Sequence, residues 1–244
     1  MELLRKKTKS LLIFSIVFAM VYYMLPDFQE TQQTLGLPLS GSVIAIDPGH
    51  GGVDGGAVAE DGTVEKDIAL EVSMQVRDYL QQAGALVVMT RDGDYDLANE
   101  DTKGYSKRKT EDLKKRTKLV NSSAAELLVS IHLNAIPSNK WSGAQCFYSK
   151  GRDDSQLLAK LIQDQLKDIT GKTDRVPLAD DRIYIIKEAK MPAVTVEVGF
   201  LSNPEETARM KQLDYQRKLA HAIYLGIAQY LTEVATMGNE QPPD

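Results

Sequence analysis

His50 and His132 each close an apolar, strand-like run and are flanked by small residues, VIAIDPGHGG over 43–52 and LLVSIHLNA over 127–135. The chain has only three histidines, so two of them stand where metal chemistry would use both. A third apolar run, 192–197, ends in Glu197. Imidazole and carboxylate are the donors that catalytic zinc takes from proteins, commonly three of them with a fourth position left open. In open α/β sheets ligands bind outside the carboxyl ends of the strands, so residues far apart in sequence meet there. The chemistry such a site offers is metal-assisted hydrolysis of a polarised carbonyl.

The elements that must position these residues follow from hydrophobic period and turn residues. Strands are expected at 43–47, 85–90, 127–132, 144–148, 182–186 and 193–197, and helices over 66–83, 110–122, 155–169, 204–212 and 215–233. Alternation of the two predicts an α/β fold, a single domain with a mostly parallel twisted sheet of about six strands and helices on both faces. A chain of 244 residues with 43% hydrophobic content suffices for that core. The last helix carries Leu219, Ala222, Ile223, Gly226, Ile227, Tyr230 and Leu231 at helical spacing, a stripe for the sheet. His221 falls off that stripe and reads as a surface histidine.

Four motifs stand in order along the chain: IDPGHGGVDGGA at 46–57, VEKDI at 64–68, SIHLNA at 130–135 and VEVGFLSN at 196–203. In order and separation they resemble the zinc-dependent N-acetylmuramoyl-L-alanine amidases of bacterial cell walls, over residues 43–231. The resemblance implies that His50, Glu65 and His132 ligate one zinc ion per chain and that Glu197 is the general base. It further implies peptidoglycan as substrate, cut between N-acetylmuramic acid and L-alanine of the stem peptide. The short apolar leader and the lack of a wall-binding repeat are most similar to spore-cortex members, which implies cortex modification through muramic lactam formation. Family members are often controlled by an occluding segment or an activating protein partner, and no inserted helix stands between the last two motifs.

Several of these residues have a second reading. Glu65 opens an amphipathic helix with Ile68, Val72 and Val76 on one face, where a carboxylate also suits the helix dipole. Glu197 follows an apolar run, where an unpaired carboxylate is costly and functional use is the reason to keep it. Asp54 reads first as an Asx turn and second as a group that orients a ligand. Asp47, Pro48 and the glycines from Gly49 to Gly56 read as a loop turning sharply beside the metal. Asn203, Pro204 and Glu206 read as N-cap, first helical position and capping box. Lys107, Arg108, Lys109, Lys114, Lys115, Arg116 and Lys118 read as a solvated helix face, with a patch for anionic wall polymer as the alternative. Cys146, the sole cysteine, reads as an inert thiol in a strand.

Arg5, Lys6, Lys7 and Lys9 precede an apolar run at 11–25, a basic region followed by a hydrophobic one. Residues 1–26 are expected to be a signal peptide or an uncleaved signal-anchor that ties the chain to the membrane, 27–40 a linker, 41–236 the catalytic domain and 237–244 a flexible tail. Either form of leader means export, to the cell wall or spore cortex. The net charge is −5, with a local +3 in 1–24 and −8 in the rest, which excludes nucleic acid as a partner. Two other functions share parts of the pattern: a zinc carboxypeptidase acting on wall stem peptides, and a non-catalytic wall-binding module.

Overall fold

Successive side chains of 43–48 point to opposite faces of a strand, and here both faces are covered. Ile44 and Ile46 enter one core while Ala45 enters the other. The computed structural model describes residues 36–239, so the expected leader, most of the linker and residues 240–244 lie outside the described residues. Among the described residues no helix is long and apolar enough to cross a membrane.

Six strands form one sheet: β1 (Val43–Pro48), β2 (Leu86–Met89), β3 (Leu127–Asn134), β4 (Gln145–Tyr148), β5 (Leu178–Ala179) and β6 (Ala193–Phe200). Their spatial order is β2-β1-β3-β6-β4-β5. All neighbouring pairs are parallel except β4 with β6. The central strands β1, β3 and β6 are buried on both faces, which is why they read as continuous apolar runs.

The helices are α1 (Glu65–Gln82), α2 (Tyr105–Ser122), α3 (Asp153–Thr170), α4 (Tyr184–Glu188), α5 (Pro204–Met210) and α6 (Leu213–Asn239). On one face α1, α3 and α6 bring Val72, Val76, Leu158, Ile162, Ile223 and Ile227 against Ile44, Val129 and Val196. Each such side chain contributes about 1.5–3 kcal/mol on full burial. On the other face Val120 of α2 and Ile185 and Ile186 of α4 cover Ala45, Leu128 and Ala193. The predicted architecture therefore stands, with helices on both faces of a six-stranded, mostly parallel sheet.

The strand expected at 182–186 is not one. Ile185 and Ile186 are both buried under the second face, which a strand could not arrange because it would turn them to opposite sides. The single-turn helix α4 does so instead. The sixth strand is β5, two exposed residues at the sheet edge. Helix α2 starts five residues before the expected 110, directly after Gly104 at φ 90°. Helix α6 continues past 233 to Asn239, into the first residues of the expected tail.

Candidate metal centre

Three of the four predicted site residues arrive from three different elements. His50 stands in the loop after β1, Glu65 is the first residue of α1 and His132 lies near the end of β3. Glu65 is the hub. Its Oε1 lies 3.1 Å from His50 Nε2 and 3.0 Å from His132 Nδ1, and accepts the backbone N–H of Leu133 at 3.0 Å. Its Oε2 accepts the N–H of Ala57 at 2.8 Å. One ligating atom from each of the three residues lies within 4.8 Å of the others. The two imidazole rings meet edge to face with centroids 4.9 Å apart.

Glu197 joins them through the sheet. It pairs in register with His132 on β3 and with Gln145 on β4. The residue is half-buried, yet its Oε2 is shielded from solvent and has no hydrogen-bond partner. Burial pushes its carboxyl up, and Glu65 adds to this, to about 7 against the pull of His132 and His50. Glu65 behaves oppositely: burial resists its charge, but the two imidazoles hold it far below the usual carboxylate range. Burial likewise works against a charged His50, and the carboxylates of Asp54 and Glu65 outweigh it, raising the imidazole to about 9.

The loop that carries His50 explains its glycines. A Cβ on Gly49 would come within 2.4 Å of the His132 ring, and one on Gly56 within 2.5 Å of Glu65 Oε2. Both positions are closed to any side chain while the cluster keeps its shape. His50 itself sits at φ 61°, the only non-glycine with positive φ among the described residues. A non-glycine residue there is strained, by roughly 1–3 kcal/mol, so its surroundings must hold it.

Asp54 makes the turn its sequence position suggested, and its other oxygen lies beside His50. Its Oδ1 accepts the N–H of Gly56 two residues on, closing a local turn. Its Oδ2 lies 2.9 Å from His50 Nδ1, close enough for an ion pair but off the line of a good hydrogen bond. Tyr105 donates to Asp54, and Lys109 pairs with it at 3.0 Å. A carboxylate behind the second ring nitrogen fixes which nitrogen of a ligating histidine faces the metal.

The reading of 107–118 as one solvated basic face needs correction. Lys107, Lys114 and Lys118 are exposed, but Arg116 is 1% exposed and pairs with Asp47 at 2.9 Å and Asp112 at 2.8 Å. It also donates to the carbonyls of Pro48 and His50. Asp47 belongs to β1, as the strand expected at 43–47 has it, and not to the loop; buried there, it accepts from Ser130, Thr90 and Arg116. Burial resists its charge, and Arg116 with the two hydroxyls holds its carboxyl low. Removing Arg116 would leave two buried carboxylates uncompensated, a loss of about 3–5 kcal/mol for a broken buried pair. The Asp112–Arg116 spacing of four on a helix was the visible sign of this pairing.

Glu206 also differs from its expected role. Asn203 caps α5 by accepting from the N–H groups of Glu205 and Glu206. The Glu206 carboxylate does not return to Asn203; it accepts the N–H of Gly143 at 3.0 Å and of Phe200 at 2.8 Å, tying β6 to the segment before β4. His221 is exposed and leans on Tyr79, as a surface histidine should. Cys146 is fully buried, and desolvation pushes its thiol far up, so it is inert.

A cavity of about 210 Å³ opens on His50 and His132, walled by Lys109, Leu113, Arg182 and Tyr184. A larger one, about 490 Å³, runs past Val58, Ile136, Pro137 and Leu201 and contains none of the clustered residues. The smaller cavity adjoins the cluster through the two histidines, and the cluster with the sheltered Glu197 is an arrangement able to bind a divalent metal and to move a proton beside it.

Comparison with known proteins agrees with this chemistry. The family model for N-acetylmuramoyl-L-alanine amidase matches residues 44–229. The germination-specific N-acetylmuramoyl-L-alanine amidase of Bacillus subtilis (strain 168) is 49% identical over 232 residues, covering 94% of this chain and 98% of that protein. The amidase LytC of the same organism is 35% identical over 195 residues, which cover 79% of this chain but 36% of LytC. Among solved structures, the CwlD amidase from Clostridioides difficile, in complex with the GerS lipoprotein, superposes with a TM-score of 0.77 at 40% identity, covering 79% of this chain and 99% of that one. With His50, Glu65 and His132 gathered at one site and the family match over most of its length, the chain belongs to the N-acetylmuramoyl-L-alanine amidase family.

Proposed function

We propose that this chain is a zinc amidase of the spore cortex in which His50, Glu65 and His132 hold one zinc ion and Glu197 is the general base. The donor set fits. Ligand atoms on a tetrahedral zinc stand about 3.3 Å apart for bonds near 2.0–2.1 Å, and Glu65 Oε1 stands 3.0 and 3.1 Å from the two ring nitrogens. When bound, zinc polarises the scissile carbonyl and makes water acidic enough to attack near neutral pH. Glu197 takes the proton of the attacking water and returns it to the departing amine of L-alanine. Glu197 is placed for both, with Oε2 sheltered and unpartnered beside His132 in the next strand. Asp54 orients His50, and the cavity bounded by Lys109, Arg182 and Tyr184 admits the substrate beside the donors.

The observation that carries this reading is the juxtaposition of Glu197, sheltered and without a partner, with His132 in the next strand. The similarity to a germination-specific amidase supports the cortex setting. The neighbour solved with a lipoprotein supports an exported protein partner for this chain as well. An apolar leader, cleaved or retained as an anchor, would deliver the enzyme outside the cytoplasmic membrane. The test is product analysis on purified peptidoglycan by mass spectrometry and N-terminal labelling. New N-terminal alanine on an otherwise intact stem, with peptide-free muramic acid, is expected. Loss of a residue from the carboxyl end of the stem would make it a carboxypeptidase, and bound but uncut wall a binding module.

A further inference from the structure

Arg91 stands two residues after the end of β2 and, like Arg116, is 1% exposed. The two differ in what neutralises them. Arg116 has two carboxylates; Arg91 has none within ion-pair reach among the described residues. All four of its side-chain hydrogen bonds end on main-chain carbonyls. Nε donates to Pro48 at 3.0 Å, Nη1 to Gly93 at 3.0 Å, and Nη2 to Gly49 at 2.7 Å and to Lys66 at 2.9 Å. A buried cation with no carboxylate in direct contact, only Asp47, Asp94 and Asp112 farther off, is costly, so these contacts must accomplish something that an apolar side chain would not.

The identity of the acceptors says what. Pro48 and Gly49 are the two residues immediately before His50, and Lys66 is the residue immediately after Glu65. A single planar guanidinium thus bolts the strained loop that bears one donor to the helix start that bears another. The fork has fixed angles and five N–H groups, so it sets a distance; a lysine ammonium, a point charge on a flexible stem, does not. We propose that Arg91 is a positioning residue that fixes the separation of His50 and Glu65 and so preorganises the site for its metal, an inference that rests on the zinc reading above. Residues that orient metal ligands from behind typically change metal affinity or activity 10- to 100-fold.

The experiment measures zinc affinity of wild type, Arg91→Lys and Arg91→Gln by competition with a chromogenic chelator, together with thermal melting of each metal-free protein. The expected result is a zinc Kd weakened by about 10–100-fold in folded Arg91→Lys and further in Arg91→Gln. A zinc Kd within twofold of wild type in both variants, even with lowered melting temperatures, would overturn the assignment in favour of simple support of the fold. Failure of both variants to fold would overturn it in the same way. Wild-type protein that binds no zinc would instead sink the metal reading, which separates the two failures.

Discussion

Glu197→Gln is expected to keep its fold and its zinc while turnover falls by roughly two to four orders of magnitude. The amide matches the carboxylate in size and can donate or accept a hydrogen bond, but it cannot take a proton. Nothing in the structure requires the charge for stability: Oε2 has no partner, and burial already disfavours ionisation. Melting temperature should therefore hold or rise. Metal content by atomic absorption and hydrolysis of peptidoglycan, measured on one preparation, check the prediction. Zinc lost together with activity would make Glu197 a ligand, and unchanged turnover would remove it from the reaction.

The three proposed zinc ligands should fail in the opposite manner. His50→Ala, Glu65→Ala and His132→Ala are each expected to lose zinc and activity together, by more than the roughly 10- to 100-fold that a supporting residue costs. Glu65→Ala should be the most severe. Its carboxylate contacts both imidazoles and accepts the N–H groups of Ala57 and Leu133, so its removal also frees two backbone donors inside the site. Zinc affinity and turnover of the three variants decide this. Any one that keeps full zinc and normal turnover leaves the ligand set.

How far these residues could be found without coordinates depends on what each relies on. His50 follows β1, and His132 and Glu197 lie in the carboxyl-terminal halves of β3 and β6, so type and position were enough to expect the three near one another. Glu65 was ambiguous because a carboxylate in a first helical turn is ordinary; only its contacts to both rings separate hub from dipole partner. Arg91 carries no signal in the sequence and Arg116 reads as solvated, because an arginine is expected outside. Arg116 stands in a run of cations of which Lys107, Lys114 and Lys118 do face solvent, and its spacing of four from Asp112 is shared by Lys115 and Glu111, so spacing alone does not mark the one that turns inward. The segment 182–186 misled for the converse reason: Ile183, Tyr184, Ile185 and Ile186 have strand-like side chains, but burial of two consecutive isoleucines on one face is tertiary information. Strand β5 has two exposed residues and offers no hydrophobic pattern to read.

The central claim is that catalysis depends on a metal held by His50, Glu65 and His132. Its most direct test strips the wild-type chain with a chelator and then titrates zinc back while following release of N-terminal alanine from peptidoglycan. The account predicts no turnover in the stripped protein and a linear recovery that breaks at about one zinc per chain, the complement of a single three-donor site. Turnover in fully stripped protein equal to that of the zinc-loaded form would contradict it.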